Sequence, residues 1–336
     1  MAMILPDLWF ALVGFILFLA VVSDGFDLGI GILSLLTRDE HRRSMLMGSI
    51  GPVWHANLTW LVVLGGVFFG AFPVAYALIF SALYIPVIVM LVALAFRGVS
   101  FDFREEARDQ GPWNLAFGLG SLAAALAQGF AVGAFLGGLN LAGDKFAGGV
   151  WDWLNPFAAL VALGLVCGYV LLGAAYLIMK TEGDLQHDNY RYAQATVWSL
   201  LIVTGAVGLW ASVKYSFLAR KWFSWPEAML TTGPTCLGVV AFILVIRSLL
   251  KLRETAPFVW SLVGFALMMF AAAASLYPYV IPPILTLKAA AAPTLTLMTM
   301  LVFVGILLPV MLLYNAYQYR VFRGKTTGRG YGAYEE

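Results

Sequence analysis

The chain has 336 residues, 62% of them apolar and 11% charged, with a formal net charge of +2 and a mean hydropathy of +0.88. Soluble domains carry about 45–50% apolar and about 25% charged residues, so this chain lacks the ionised groups to cover a water-facing surface. Its 20 Lys and Arg against 18 Asp and Glu leave no basic excess for nucleic acid, which excludes that partner class.

The composition specifies an all-α integral membrane protein. A helix needs roughly 20 apolar residues to cross about 30 Å of hydrocarbon, and nine spans are predicted in chain order: 8–34, 48–71, 74–96, 114–139, 156–179, 193–213, 229–250, 257–279 and 293–319. The runs are continuously apolar and do not alternate at period two, which excludes a β-barrel. Residues 1–7 hold no Lys or Arg and the first apolar run is a full span, so no cleavable signal peptide is expected. The odd-numbered connections and the C-terminal segment hold 15 of the 20 basic residues, which predicts the N-terminus outside and the C-terminus in the cytoplasm.

Ionisable residues at depth are costly in lipid and mark pathways or sites. In the first span, Asp24 and Asp27 share a face at i, i+3 within Ser23-Asp24-Gly25-Phe26-Asp27-Leu28-Gly29-Ile30-Gly31. Asp24 lies 14 residues before Arg38, about 21 Å of helix, near the bilayer middle. The pair reads as a proton site or as carboxylates bonding a neighbouring backbone. In the second span His55 follows Pro52, which kinks a helix and frees a carbonyl. Its depth resembles that of the aspartates, and an imidazole passes protons near neutral pH, so a shared proton path is expected. Beyond the third span, Asp102 opens a charged run and is the carboxylate best placed to collect cytoplasmic protons. In the fourth, Gly129, Gly133 and Gly137 have the spacing that lets another helix approach closely. Cys167 and Cys236 sit in apolar runs and read as buried small hydrophobes. A haem held between spans by two histidines needs two deep imidazoles. His41 and His187 fall in predicted loops, so the chain is expected to carry no haem and no metal of its own.

The blocks Asp24-Gly25-Phe26-Asp27-Leu28-Gly29-Ile30-Gly31, Ser49 to Trp60 (Ser-Ile-Gly-Pro-Val-Trp-His-Ala-Asn-Leu-Thr-Trp), Phe72-Pro73-Val74-Ala75-Tyr76, Phe96-Arg97, Phe101-Asp102, Trp153-Leu154-Asn155-Pro156-Phe157 and Leu276-Tyr277-Pro278 run in order through most of the chain. Together they resemble subunit II of cytochrome bd-type quinol oxidases, and the compact length and short loops suggest the cyanide-insensitive branch. The resemblance implies two four-helix bundles plus one peripheral helix. That makes one polytopic domain, with a pseudo-repeat over roughly 1–145 and 146–280, a final helix 293–319 and a cytoplasmic tail 320–336. It implies an obligate partner in the bacterial cytoplasmic membrane, subunit I, which carries haem b, haem d and the quinol-oxidising loop. The complex oxidises quinol, reduces O2 to water without pumping protons, and takes its chemical protons from the cytoplasm.

The resemblance also implies site roles. Asp24, Asp27 and Asp102 fit family proton-delivery positions, and Trp60 fits an aromatic near an O2 route. His55 departs from the acidic residue that better-known members carry after that tryptophan. A small single-span accessory subunit, membrane lipids and a structural quinone are further candidate partners. Outside this family, deep carboxylates would also suit a secondary transporter, or the chain could serve as a scaffold for subunit I.

Overall fold

The computed structural model describes residues 4–143 and 145–326. Its α-helices, in order, are α1 (Leu5–Leu36), α2 (Glu40–Ile50), α3 (Trp54–Ala71), α4 (Pro73–Glu106), α5 (Gly111–Leu136), α6 (Pro156–Lys180), α7 (Gly183–Lys214), α8 (Ser216–Phe223), α9 (Thr232–Leu250), α10 (Ala256–Leu276), α11 (Leu287–Ala290) and α12 (Thr294–Val321). Two antiparallel hairpins, β1–β2 (Leu141–Ala142, Lys145–Phe146) and β3–β4 (Tyr279–Ile281, Leu285–Thr286), sit in connections. Among the described residues nine helices are long and apolar enough to cross a membrane, the seventh running from Glu227 through α9. Run length alone predicts the same nine spans.

Local chemistry sets the starts. Proline, whose missing N–H is harmless in a first turn, opens α1, α4, α5, α6 and α10. The Asp39 carboxylate caps α2 by accepting from Arg42 N at 2.8 Å, and Asn155 caps α6 through Ala158 N at 2.9 Å.

Three boundaries depart from the sequence reading. The sixth span, expected from 193, already begins at Gly183 in α7. The span expected over 48–71 begins only at Trp54, because Gly51-Pro52-Val53 separates it from the polar helix α2. The third span does not stop at 96: α4 continues to Glu106 and carries Arg97 inside it. Cys236 is exposed on α9, not buried, while Cys167 is half-buried.

Hydrogen bonds sort the connections into two ends. At one end Arg42 of α2 pairs with Asp184 and Asp188 of α7, and Lys325 pairs with Glu254 beyond α9; this is the basic end. At the other, Trp9 Nε1 donates to the Leu297 carbonyl at 3.3 Å and Ala292 N to the Ala71 carbonyl at 2.9 Å. Glycines set the closest crossings. A Cβ on Gly29 of α1 would overlap the Tyr169 carbonyl of α6, and one on Gly173 would meet the backbone of Gly29 and Ile30. On α5, Gly129 and Gly133 lie against Ala162 and Ala158 of α6, and Gly137, at the helix end, faces the Tyr215 hydroxyl. Helix α12 is peripheral: Leu297 is its buried residue, and Val302, Ile306, Val310 and Leu313 face outward.

Candidate functional site

Helix α1 places Asp24 and Asp27 one turn apart, and α4 lays Arg97 across them. Arg97 Nη1 is 3.6 Å from Asp24 Oδ1 and Nη2 is 3.8 Å from Asp27 Oδ2. All three are closed off, with exposures of 3%, 0% and 1% for Asp24, Asp27 and Arg97. The guanidinium also lies 5.9 Å from the Trp54 ring of α3 and 5.7 Å from the Phe117 ring of α5, both favourable cation–π positions. The glycines on α1 admit α6: Tyr169 packs at Gly25 and donates its hydroxyl to Gln128 at 2.7 Å.

The triad is ionic but sparsely hydrogen-bonded. Asn57 Nδ2 of α3 donates to Asp27 Oδ2 at 3.0 Å, and Tyr319 of α12 donates to Asn57 Oδ1 at 2.6 Å. Both Asp24 oxygens, Asp27 Oδ1, and Arg97 Nε and Nη2 have no hydrogen-bond partner among the described residues. Groups buried this way are normally satisfied, so the site can engage further polar partners. With both carboxylates ionised the triad carries one excess negative charge; one added proton makes it neutral.

A second polar cluster closes the basic end beneath the triad. Glu40 of α2 accepts from Arg104 of α4, from Arg43 and from Asn114 Nδ2 of α5 at 3.1 Å. Arg104 also donates to Asn114 Oδ1 at 2.7 Å and to Ser44 at 2.8 Å. Burial works against the Glu40 carboxylate, but the bonds from Arg104 and Asn114 and the Arg43 charge outweigh it and hold its carboxyl below the usual range. A carboxyl lowered on folding contributes stability that is present above its unfolded value of about 4.3. That contribution is lost as the pH falls through the lower folded value. Glu40→Gln should therefore flatten the acid limb of thermal stability in the solubilised protein. An acid limb identical to wild type would show that the clamp contributes nothing.

Several expected site residues lie elsewhere. His55 does not join the aspartates: it is exposed, because the break at Pro52 puts it in the first turn of α3. Its ring lies against Trp54, tilted by 33° with 3.7 Å between centroids. Asp102 is exposed near the end of α4, off the buried face that carries Arg97, Phe101 and Arg104. Trp60 is buried in the apolar cluster that includes Ile16, Ala20 and Val67, and Gly129, Gly133 and Gly137 serve helix contact. Sequence reasoning misses Arg97, Asn57 and Tyr319 as site residues. For Arg97 a signal exists: Arg97, Phe101 and Arg104 repeat at i, i+4, i+7, the stripe of a continuing helix.

The family model for cytochrome bd terminal oxidase subunit II matches residues 5–322. The chain is 31% identical to cytochrome bd-I ubiquinol oxidase subunit 2 of Escherichia coli K12, covering 96% of each. It is 28% identical to cytochrome bd ubiquinol oxidase subunit 2 of Bacillus subtilis, covering 96% of this chain and 97% of that one. Its fold matches a chain in the structure of bd oxidase from Geobacillus thermodenitrificans with a TM-score of 0.77 at 20% identity, covering 95% of this chain and 98% of that chain.

Proposed function

The chain belongs to the cytochrome bd terminal oxidase subunit II family, a multi-pass oxidoreductase subunit of the bacterial cytoplasmic membrane, and from that membership we propose that it supplies cytoplasmic protons to the haem d site of its partner. In this reading subunit I holds haem b and haem d, oxidises quinol and reduces O2 to water without proton pumping. The present chain stabilises subunit I and has no complete active site of its own. The observation that carries the reading is the closed Asp24–Arg97–Asp27 triad, with carboxylate oxygens left unbonded. Intramembrane ionisable clusters of this kind are the usual material of proton relays, and this one becomes neutral on gaining a single proton.

The basic end is the cytoplasmic one in this reading. Asp102, exposed at that end, collects protons at the surface, His55 in the first turn of α3 passes them on, and the triad holds them within the bundle. The histidine donors do not suit a haem on this chain: His41, His55 and His187 are all exposed, on three different helices, so no two imidazoles face each other within the bundle. An open groove of about 410 Å³ between α4 and α5, lined by Ile88, Val92, Phe96, Leu119 and Ala123, suits an acyl or isoprenoid tail of a lipid or quinone. Trp60, in its apolar cluster, is kept as a candidate for the O2 route.

The test is Asp27→Asn in the two-subunit complex. Quinol-driven O2 consumption should fall by about 100-fold, the low end of what a positioned proton-transfer group contributes, with haem b and d bands of normal intensity. Wild-type turnover would end the relay reading, and loss of the haem bands would assign Asp27 to assembly.

A further inference from the structure

We propose that Tyr319, on the peripheral helix α12, fixes the orientation of the Asn57 carboxamide and through it governs how Asp27 gains and releases its proton. The inference rests on the proton-supply reading above and adds two positioning residues to it.

A carboxamide has unlike ends: the NH2 only donates and the carbonyl only accepts. Asn57 Nδ2 donates to Asp27 Oδ2 at 3.0 Å while Oδ1 accepts the Tyr319 hydroxyl at 2.6 Å. The opposite orientation would set Oδ1 against a carboxylate oxygen, acceptor to acceptor. A donor on a carboxylate stabilises its ionised form, so the orientation that Tyr319 holds is the one matched to ionised Asp27. When Asp27 Oδ2 takes up a proton, the new O–H needs an acceptor. A half-turn of the amide supplies Oδ1 to it and carries Nδ2 to the Tyr319 oxygen, whose lone pairs can accept. One proton is gained, on Asp27; Tyr319 keeps its own; two hydrogen bonds reverse direction. Proton release restores the first arrangement.

The other groups around Asp27 are Asp24 on α1, Arg97 on α4 and Tyr176 on α6. Tyr176 donates its hydroxyl to the Ser49 carbonyl at 3.3 Å, and Tyr169, near Asp24, donates to Gln128. Among the described residues Tyr319 is the hydroxyl bonded to the Asn57 side chain; Ser23 reaches only its backbone carbonyl. The fold also concentrates the polar anchorage of α12 at that point. Most of α12 is apolar and faces outward, yet Gln318 donates to the Pro52 carbonyl. Just beyond, Lys180 donates to the carbonyls of Phe322 and Gly324. Thr326 N donates to the Lys180 carbonyl at 2.8 Å, and Lys325 donates to Glu254 at 3.0 Å. This latch pins the end of α12 that carries Tyr319.

The test is the pH profile of quinol-driven O2 consumption by the two-subunit complex. Tyr319→Phe should displace the profile toward alkaline pH by about half a unit or more, the size expected from losing one hydrogen bond that holds the donor in place, with haem bands unchanged. Asn57→Ala should displace it the same way, and adding Tyr319→Phe to Asn57→Ala should move it no further. Gln318→Leu, which removes one anchor of α12 while the Lys180, Lys325 and Thr326 bonds still hold its end, should leave it in place. A wild-type profile in Tyr319→Phe, or in Asn57→Ala if the tyrosine variant fails to assemble, overturns the inference. So does an equal displacement in Gln318→Leu, which would assign the effect to docking of α12. Slowed Asp27→Asn with an unmoved Tyr319→Phe profile sinks this inference alone; Asp27→Asn at the wild-type rate removes the relay beneath it.

Discussion

Arg97→Leu is expected to leave little assembled oxidase. Removing one partner of a buried ion pair costs about 3–5 kcal/mol, because the remaining charge stays buried without compensation. Here the remaining charges are two, Asp24 and Asp27, which face the guanidinium at 3.6 and 3.8 Å. The side chain is also packed between the Trp54 and Phe117 rings, so leucine loses cation–π contact as well. A second variant separates charge from shape. Combining Arg97→Leu with Asp24→Asn and Asp27→Asn removes all three charges and should restore most of the assembled complex while leaving turnover low. The measurement is the yield of haem-loaded two-subunit complex after solubilisation. Wild-type yield from Arg97→Leu alone would show that the triad is not held as a charge-balanced unit.

The second large effect is expected at Gly29→Ala. A single methyl there would overlap the Tyr169 carbonyl, and Gly173 on the facing helix is equally close to the Gly29 and Ile30 backbone. Backbone cannot rotate out of the way as a side chain can, so α1 and α6 must separate. Overpacking typically costs about 1–3 kcal/mol, and the upper end is expected because both surfaces are main chain. Separation would also shift Gly25 away from Tyr169 and disturb the triad one turn along. Gly66→Ala on α3 is the matched control, since nothing lies within 4 Å of a Cβ there; replacing a helical glycine in open space should be neutral or favourable by up to about 1 kcal/mol. Thermal denaturation of the solubilised complex distinguishes the two. Equal stability of both variants would mean that the α1–α6 crossing is not under the constraint its geometry indicates.

The nine spans are legible in the sequence because a crossing helix must be long and apolar, and run length reports that directly. The α2–α3 boundary is harder. Hydropathy rises gradually from Met47 onward, and Pro52 reads equally as a kink within a span or as a break before one; the polar helix α2 settles on the break. That single difference moves His55 from the interior to an exposed first turn. Arg97 is hidden for a related reason, since a positive charge after an apolar run is the ordinary mark of a span's end, and here α4 runs on to Glu106. Asn57 and Tyr319 give no signal at all. Neither is charged, and they are 262 positions apart, so only the fold brings their side chains together. The aspartates themselves are legible because carboxylates in the middle of an apolar run are rare and expensive.

The most direct test of proton supply through the triad is time-resolved proton uptake by the reduced two-subunit complex on reaction with O2, comparing wild type with the charge-free Asp24→Asn/Asp27→Asn/Arg97→Leu variant at equal haem content. Haem d is expected to bind O2 at the normal rate in both, while proton uptake and the electron transfer coupled to it are slowed by about 100-fold in the variant. Proton uptake at the wild-type rate in a variant with both carboxylates removed would contradict a supply route through Asp24 and Asp27.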